Sequence, residues 1–293
     1  MTLPPAGLTL RCALALAILC APSFARPQTP KPTASADATV SSIPGGVVRW
    51  TEPGATRCGM RAHIWPAIKG TCYFPVDILD KPASLPVSLF IGQRRLRGHI
   101  VVEEHDYGSE DVTLPDIPQA NPSPENLRRD EHDRALLNHI FTRPDGPARF
   151  TLPLEDPLKP LPQGKSFGVK RIYNGKLAEQ AHMGLDYDAA DHAPILAAAA
   201  GRVVFAKEMF FEGNAVFIDH GDGLVSMYFH LSDIKVHRGE LVRRGQTLGR
   251  EGSTGRSTGP HLWFGVRWHD ARIDPHFLLE APDKIPAVQR ATP

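Results

Sequence analysis

Residues 201–231 read GRVVFAKEMFFEGNAVFIDHGDGLVSMYFHL, and they set the architecture of the C-terminal half. Arg202 to Ala206, Ala215 to Asp219 and Leu224 to Phe229 are short apolar runs rich in β-branched and aromatic residues. Glycines at 201, 213, 221 and 223 separate them. Runs of this length between glycines read as strands joined by tight turns, and no 3.6-residue period survives between the breaks. Pro260 to Arg267 repeats the pattern further on, with Gly239, Gly245, Gly249, Gly252, Gly255 and Gly259 marking turns before it. The segment therefore predicts an antiparallel β-sheet system.

Upstream, Leu152 to Gly164 carries prolines at 153, 157, 160 and 162 and reads as an extended segment along the next domain. Before it, Asn121-Pro122-Ser123-Pro124-Glu125 has the chemistry of a helix start. Ser123 can cap, Pro124 suits the first helical position, and Glu125 complements the dipole. Leu127, Leu136, Leu137, Ile140 and Phe141 give a partial apolar face, so a connecting helix is predicted at about 124–141 within a linker, 116–164. Short strand-like runs between Val47 and Leu114 predict a small N-terminal β domain, 47–115.

The N-terminus reads as an export signal over residues 1–25. Arg11 supplies the positive charge, Cys12 to Ala21 is an apolar run too short to span a bilayer, and Ser23-Phe24-Ala25 offers small residues for cleavage. An uncleaved anchor is the other reading. A flexible Pro-, Ala- and Ser-rich tether is expected at 26–46. Beyond the signal, no segment is apolar and long enough to cross a membrane, so membrane contact is expected through that segment alone. Cys58 and Cys72 remain after cleavage, an even pair in an oxidising compartment, and read as a disulfide. A metal site or two buried thiols are the alternatives. Lys and Arg total 33 against 32 Asp and Glu, for a net charge of +1. That balance argues against a nucleic-acid partner.

Four polar residues stand out in the C-terminal half: His182, Asp186, His230 and His261. His182 and Asp186 are nitrogen and oxygen donors suited to zinc. On a straight strand they would lie about 13 Å apart, and Gly184 between them permits a bend.

The run from Phe167 to Pro275 carries FGVKRIYNG, HMGLDYDAA, PILAAAAGRVVFA, NAVFIDHGDGLVSMYFHLS, VHRGELVRRGQTLGREGSTGRSTGPHL and IDP. In this order and spacing it resembles the catalytic domain of the lysostaphin-like (LytM-type) zinc endopeptidases over its whole length. The resemblance implies a duplicated hybrid motif fold at 165–280, followed by a tail, 281–293. It implies zinc as cofactor and His182 and Asp186 as metal ligands. It also implies His230 as a stabiliser of the tetrahedral intermediate and His261 as general base or orienter of the metal-bound water. Family substrates are peptides of peptidoglycan, which suits an exported protein of the periplasm or cell envelope.

One position departs from the pattern. Family members read His-x-His and use the second histidine as third ligand, whereas this chain reads His261-Leu262-Trp263. The indole N–H is a donor and cannot ligate zinc, and its ring is expected to fill the metal's space. His192, His220 with Asp219, His269, or a rotated His261 are the substitutes to consider. His237 and His276 read as surface or packing histidines. Two functions follow: a zinc endopeptidase with an altered ligand set, or a degenerate domain that activates or adapts another murein hydrolase. A biotinyl or lipoyl carrier, suggested by VHRGELVRRGQTLG, needs a hairpin lysine, and none lies between Lys235 and Pro275.

Overall fold

The computed structural model describes residues 38–141, 146–190 and 192–289. The expected signal segment, 1–25, lies outside the described residues.

A seven-stranded sheet organises the C-terminal half. Its antiparallel centre is built from Leu185–Tyr187, Leu262–Trp268, Leu224–Leu231, Gly213–Asp219 and Gly201–Met209, in that spatial order. Successive side chains alternate between two faces. Val216, Ile218, Leu224, Tyr228, Leu262, Phe264 and Val266 turn into the main core. Ala215, Phe217, Val225, Met227 and Trp263 turn the other way into a second apolar cluster with Phe205. Both faces are covered, which explains why the strands read as nearly continuous apolar runs.

The second face is covered by the helix Pro124–Phe141. Its Leu137, Ile140 and Phe141 pack on the cluster, while Leu127 and Leu136 stay exposed. The start follows the predicted cap, with the Asn126 N–H donating to Ser123 Oγ at 3.2 Å. The Arg267 guanidinium lies 4.0 Å over the Phe141 ring. The proline-rich segment runs along the main core as expected, burying Leu154 and Leu158.

The N-terminal half forms a five-stranded and a two-stranded sheet over a core of its own. Cys58 on Arg57–Met60 and Cys72 on Thr71–Pro75 are joined by a disulfide that ties the two sheets together.

Three boundary expectations need correction. Ala38–Ser42, expected in the tether, is a strand paired in parallel with Arg94–Val102. Its Ala38 and Ser42 are buried and Val40 half-buried, an alternation masked by small and polar residues. The 281–293 segment is not a free tail over its described part. Ile285 is buried, the Arg49 N–H donates to the Pro286 carbonyl at 2.8 Å, and Ala287 and Gln289 bridge to the N-terminal strands. The two halves do not sit apart either. Val47, Tyr73 and Ile78 belong to the main core, and the Arg272 N–H donates to Asp77 Oδ2 at 2.8 Å. Shared apolar burial and backbone hydrogen bonds make them one unit.

The disulfide closes a loop with a sequence separation of 14. Replacing both cysteines (Cys58→Ala with Cys72→Ala) is expected to lower stability by about 3 kcal/mol. Urea unfolding checks this, and an unchanged midpoint would show that the sheets alone restrain the loop.

Candidate metal centre

The site begins with strand register. Asp186 pairs with Trp263, and Trp263 pairs with Phe229. Directly paired residues share a face, so these three side chains stand in one row. His182 precedes the strand by a bend at Gly184. That bend brings His182 Nε2 to 3.3 Å from Asp186 Oδ1. His261 Nε2 lies 3.6 Å from the same oxygen. The His230 ring is 4.8 Å from that of His261, centroid to centroid. Thus the structure gathers all four residues singled out in the sequence.

Each imidazole is oriented through Nδ1. His182 Nδ1 meets the Ser166 carbonyl at 3.0 Å, His230 Nδ1 the Thr254 carbonyl at 2.8 Å, and His261 Nδ1 the Gly259 carbonyl at 2.9 Å. A carbonyl accepts, so each Nδ1 carries a proton, and this turns Nε2 of His182 and His261 toward Asp186 Oδ1. His230 adopts φ 66°. This left-handed backbone is uncommon outside glycine and clusters at functional sites. Burial, with His261 beside it, lowers the His230 pKa to about 3, so its ring is neutral at ordinary pH.

Sequence reasoning missed Arg171, which hydrogen-bonds Asp186 Oδ2 and donates from Nε to Glu110 Oε1 at 2.7 Å. Its only trace in the sequence is membership of the run FGVKRIYNG. Burial pushes the Asp186 carboxyl up, but His182, Arg171 and His261 outweigh it and hold it well below the usual range. Glu110 arrives on the strand Ser109–Val112, which pairs in parallel with Lys170–Tyr173. It lines a cavity of about 460 Å³ together with Arg171, Asp186, Arg256, Ser257 and His261.

Trp263 occupies the register position expected for the third ligand, directly opposite Asp186. It stacks on Phe229 at 4.1 Å with an interplanar angle of 3°. It also leans over two glycines: a Cβ on Gly184 or Gly265 would strike the ring at 2.5 Å or 2.3 Å. The ring of His182 meets it edge-on at 6.1 Å. The apolar cluster draws the indole along the strand. His182 Nε2 and Asp186 Oδ1 are left buried without hydrogen-bond partners.

Those two atoms fit a metal, and the third position does not. Among the described residues no group of three or more His, Cys, Asp or Glu side chains is placed to hold a metal ion. A catalytic zinc takes three protein ligands and one open position; His182 and Asp186 are two of the expected three, and Trp263 stands at the third. The other substitutes are engaged elsewhere. His269 packs on Trp65 at 4.2 Å between ring centroids. His192 is exposed, with Nδ1 3.4 Å from Ser232 Oγ. His220 is fully buried, with Nδ1 2.9 Å from the Ala200 carbonyl and Nε2 2.7 Å from Ser226 Oγ, which lies 3.0 Å from the Tyr228 hydroxyl.

Burial lowers the His220 pKa to about 4. The folded state therefore binds the proton less readily than the unfolded chain. The contribution of His220 is complete above about pH 6.5 and is lost as pH falls toward 4, amounting to about 3 kcal/mol. Urea unfolding at pH 7 and pH 4.5 reads this loss. His220→Gln is expected to flatten the dependence, and an equal slope in that variant would reject the assignment.

The sequence model of peptidase family M23 matches residues 180–275. The DD-carboxypeptidase/endopeptidase Mpg of Neisseria meningitidis serogroup B is 42% identical over 94 residues, 32% of this chain and 22% of that protein. The peptidoglycan DD-endopeptidase ShyC of Vibrio cholerae serotype O1 is 39% identical over 111 residues, 38% of this chain and 26% of that protein. The chain thus spans about a quarter of these curated relatives. A peptidase M23 structure from Pseudomonas aeruginosa superposes with a TM-score of 0.64 at 28% identity, covering 81% of this chain and 94% of that one. With the fold, the order of the motifs and these matches in agreement, residues 180–275 form a LytM-type domain of the peptidase M23 family.

Proposed function

We propose that the chain is an exported cell-wall protein whose M23 domain engages peptidoglycan peptides without cleaving them, and that it serves as activator or adaptor of another murein hydrolase. The observation carrying this reading is Trp263, packed on Phe229 and two glycines at the third ligand position. Indole offers a donor where zinc needs a lone pair. Zinc, the metal implied by the family, is then not held tightly, because two protein donors are fewer than a catalytic or structural site uses. The open cavity beside Asp186 and His261 supports retained peptide binding, as does the likeness to proteins named as peptidoglycan endopeptidases.

A specific observation favours a second reading. His182 Nε2 and His261 Nε2 lie 3.3 and 3.6 Å from Asp186 Oδ1. Ligands about 2.1 Å from a tetrahedral zinc are spaced at about 3.4 Å. In this reading His261 turns ligand and the domain is an endopeptidase with an altered set.

The two readings separate in one experiment. Bound zinc is measured by elemental analysis, and soluble muropeptides released from purified peptidoglycan are counted for the unaltered protein, Trp263→His and His261→Ala. The degenerate reading expects substoichiometric zinc and no release from the unaltered protein, with zinc binding and release gained in Trp263→His. One equivalent of zinc in the unaltered protein, lost in His261→Ala, together with chelator-sensitive release, would sink it in favour of the second.

A further inference from the structure

The N-terminal sheet presents a face that the M23 site does not use. Arg57 pairs with Phe90 and Phe90 with Arg95, while Gly59 pairs with Ser88 and Ser88 with Arg97. These residues share one face, and Cys58, Met60, Val87, Leu89, Ile100 and Val102 turn into the core on the other. Arg57, Arg95 and Arg97 are exposed. The five strands of this sheet read ATVSS, RCGM, HIWP, ASLPVSLFI and RRLRGHIVV, without one carboxylate. In a chain of net charge +1, that is a local concentration of positive charge.

The arginines are pre-arranged. The Arg57 and Arg95 guanidinia lie 4.9 and 5.7 Å from the centroid of the Phe90 ring. Arg95 Nε donates to Ser88 Oγ at 2.8 Å, which orients the fork and leaves its terminal N–H groups facing outward. Among the described residues no ion pair engages Arg57, Arg95 or Arg97. Arg95 and Arg97 stand about 7 Å apart along the strand, and Arg57 lies two strands away, about 10 Å. That spacing suits repeated anions on one extended polymer, each met by a bidentate fork.

We infer that this face binds an extended acidic glycan through Arg57, Arg95 and Arg97. The chemistry of the face disfavours other polyanions. Phe90 is flanked by guanidinia and His99 is half-buried, so single-stranded nucleic acid finds no open stacking platform. A five-stranded sheet is wider than the helix or two-stranded ribbon admitted by a duplex major groove. An anionic membrane surface needs projecting apolar groups to enter it, whereas here Ile64 and Val101 stand apart on different strands. An acidic protein partner would need an apolar centre to its interface.

The test uses the whole protein and affinity electrophoresis at 50 and 200 mM salt. Polygalacturonate is the probe, and neutral dextran, poly-glutamate, duplex DNA and vesicles with 30% phosphatidylglycerol are the comparisons. Retardation by polygalacturonate is expected, weaker at the higher salt. The dissociation constant should rise at least tenfold in Arg95→Gln/Arg97→Gln and several-fold in Arg57→Gln. Arg94→Gln, on the opposite parity of the same strand, should leave it unchanged, with circular dichroism confirming the fold of every variant. Trp263→His should also leave it unchanged, so a failure at the M23 site and a failure of this surface are read separately. Equal binding by the double variant, no retardation beyond that by dextran, or tighter binding to vesicles, DNA or poly-glutamate would overturn the inference.

Discussion

The row Asp186–Trp263–Phe229, fixed by antiparallel register across three strands, is the constraint on which the rest of the site depends. Register decides which side chains share a face, and a slip of one residue would exchange both faces of the sheet. Two demands meet in this row. Toward His182 and His261 the face is polar, and His182 Nε2 and Asp186 Oδ1 lie buried there. Toward Phe217 and Phe205 it is an apolar floor beneath the helix Pro124–Phe141. Position 263 lies at the border between them. A polar residue there extends the donor set, whereas a large aromatic one extends the floor, and Trp263 does the second.

The neighbourhood accepts the indole without distortion elsewhere. Gly184 and Gly265 leave the ring room that any Cβ would deny it. Phe229 gives it a parallel partner, and aromatic pairs add about 0.5–1.5 kcal/mol beyond the area they bury. Tryptophan at this position is therefore a packed part of the sheet, and the histidines around it keep their carbonyl partners.

What was legible in the sequence was local. Short apolar runs between glycines exposed the strands, Ser123 and Pro124 marked the helix start, and the His-x-x-x-Asp spacing with its central glycine located the donors. What stayed hidden depends on contacts between distant segments. Ala38–Ser42 becomes a strand because Arg94–Val102 offers it a parallel edge, and its own composition reads as tether. Ser109–Val112 is recruited by Lys170–Tyr173 in the same way. Arg171 lies in the run FGVKRIYNG, but nothing in that run marks its role, because only that pairing and the bend at Gly184 bring it between Glu110 and Asp186. The lean of Trp263 also needed the three-dimensional surroundings: strand parity gives the face of a side chain but not the direction of its ring.

Charge completes the argument about the site. A buried carboxylate without a counter-ion is costly, and breaking a buried ion pair by removing one member costs about 3–5 kcal/mol. Asp186 and Arg171 have side chains only 13% and 15% exposed, so they form such a pair and are neutral together. Glu110, 37% exposed, reaches solvent and adds little strain. His230 is neutral through burial and adds no charge to this pair. The Arg171 guanidinium, anchored through Glu110 by a strand from outside the matched residues, holds the carboxylate in place. The same anchoring means that whatever displaces Ser109–Val112 would also loosen Arg171, coupling the N-terminal segment to the state of the site.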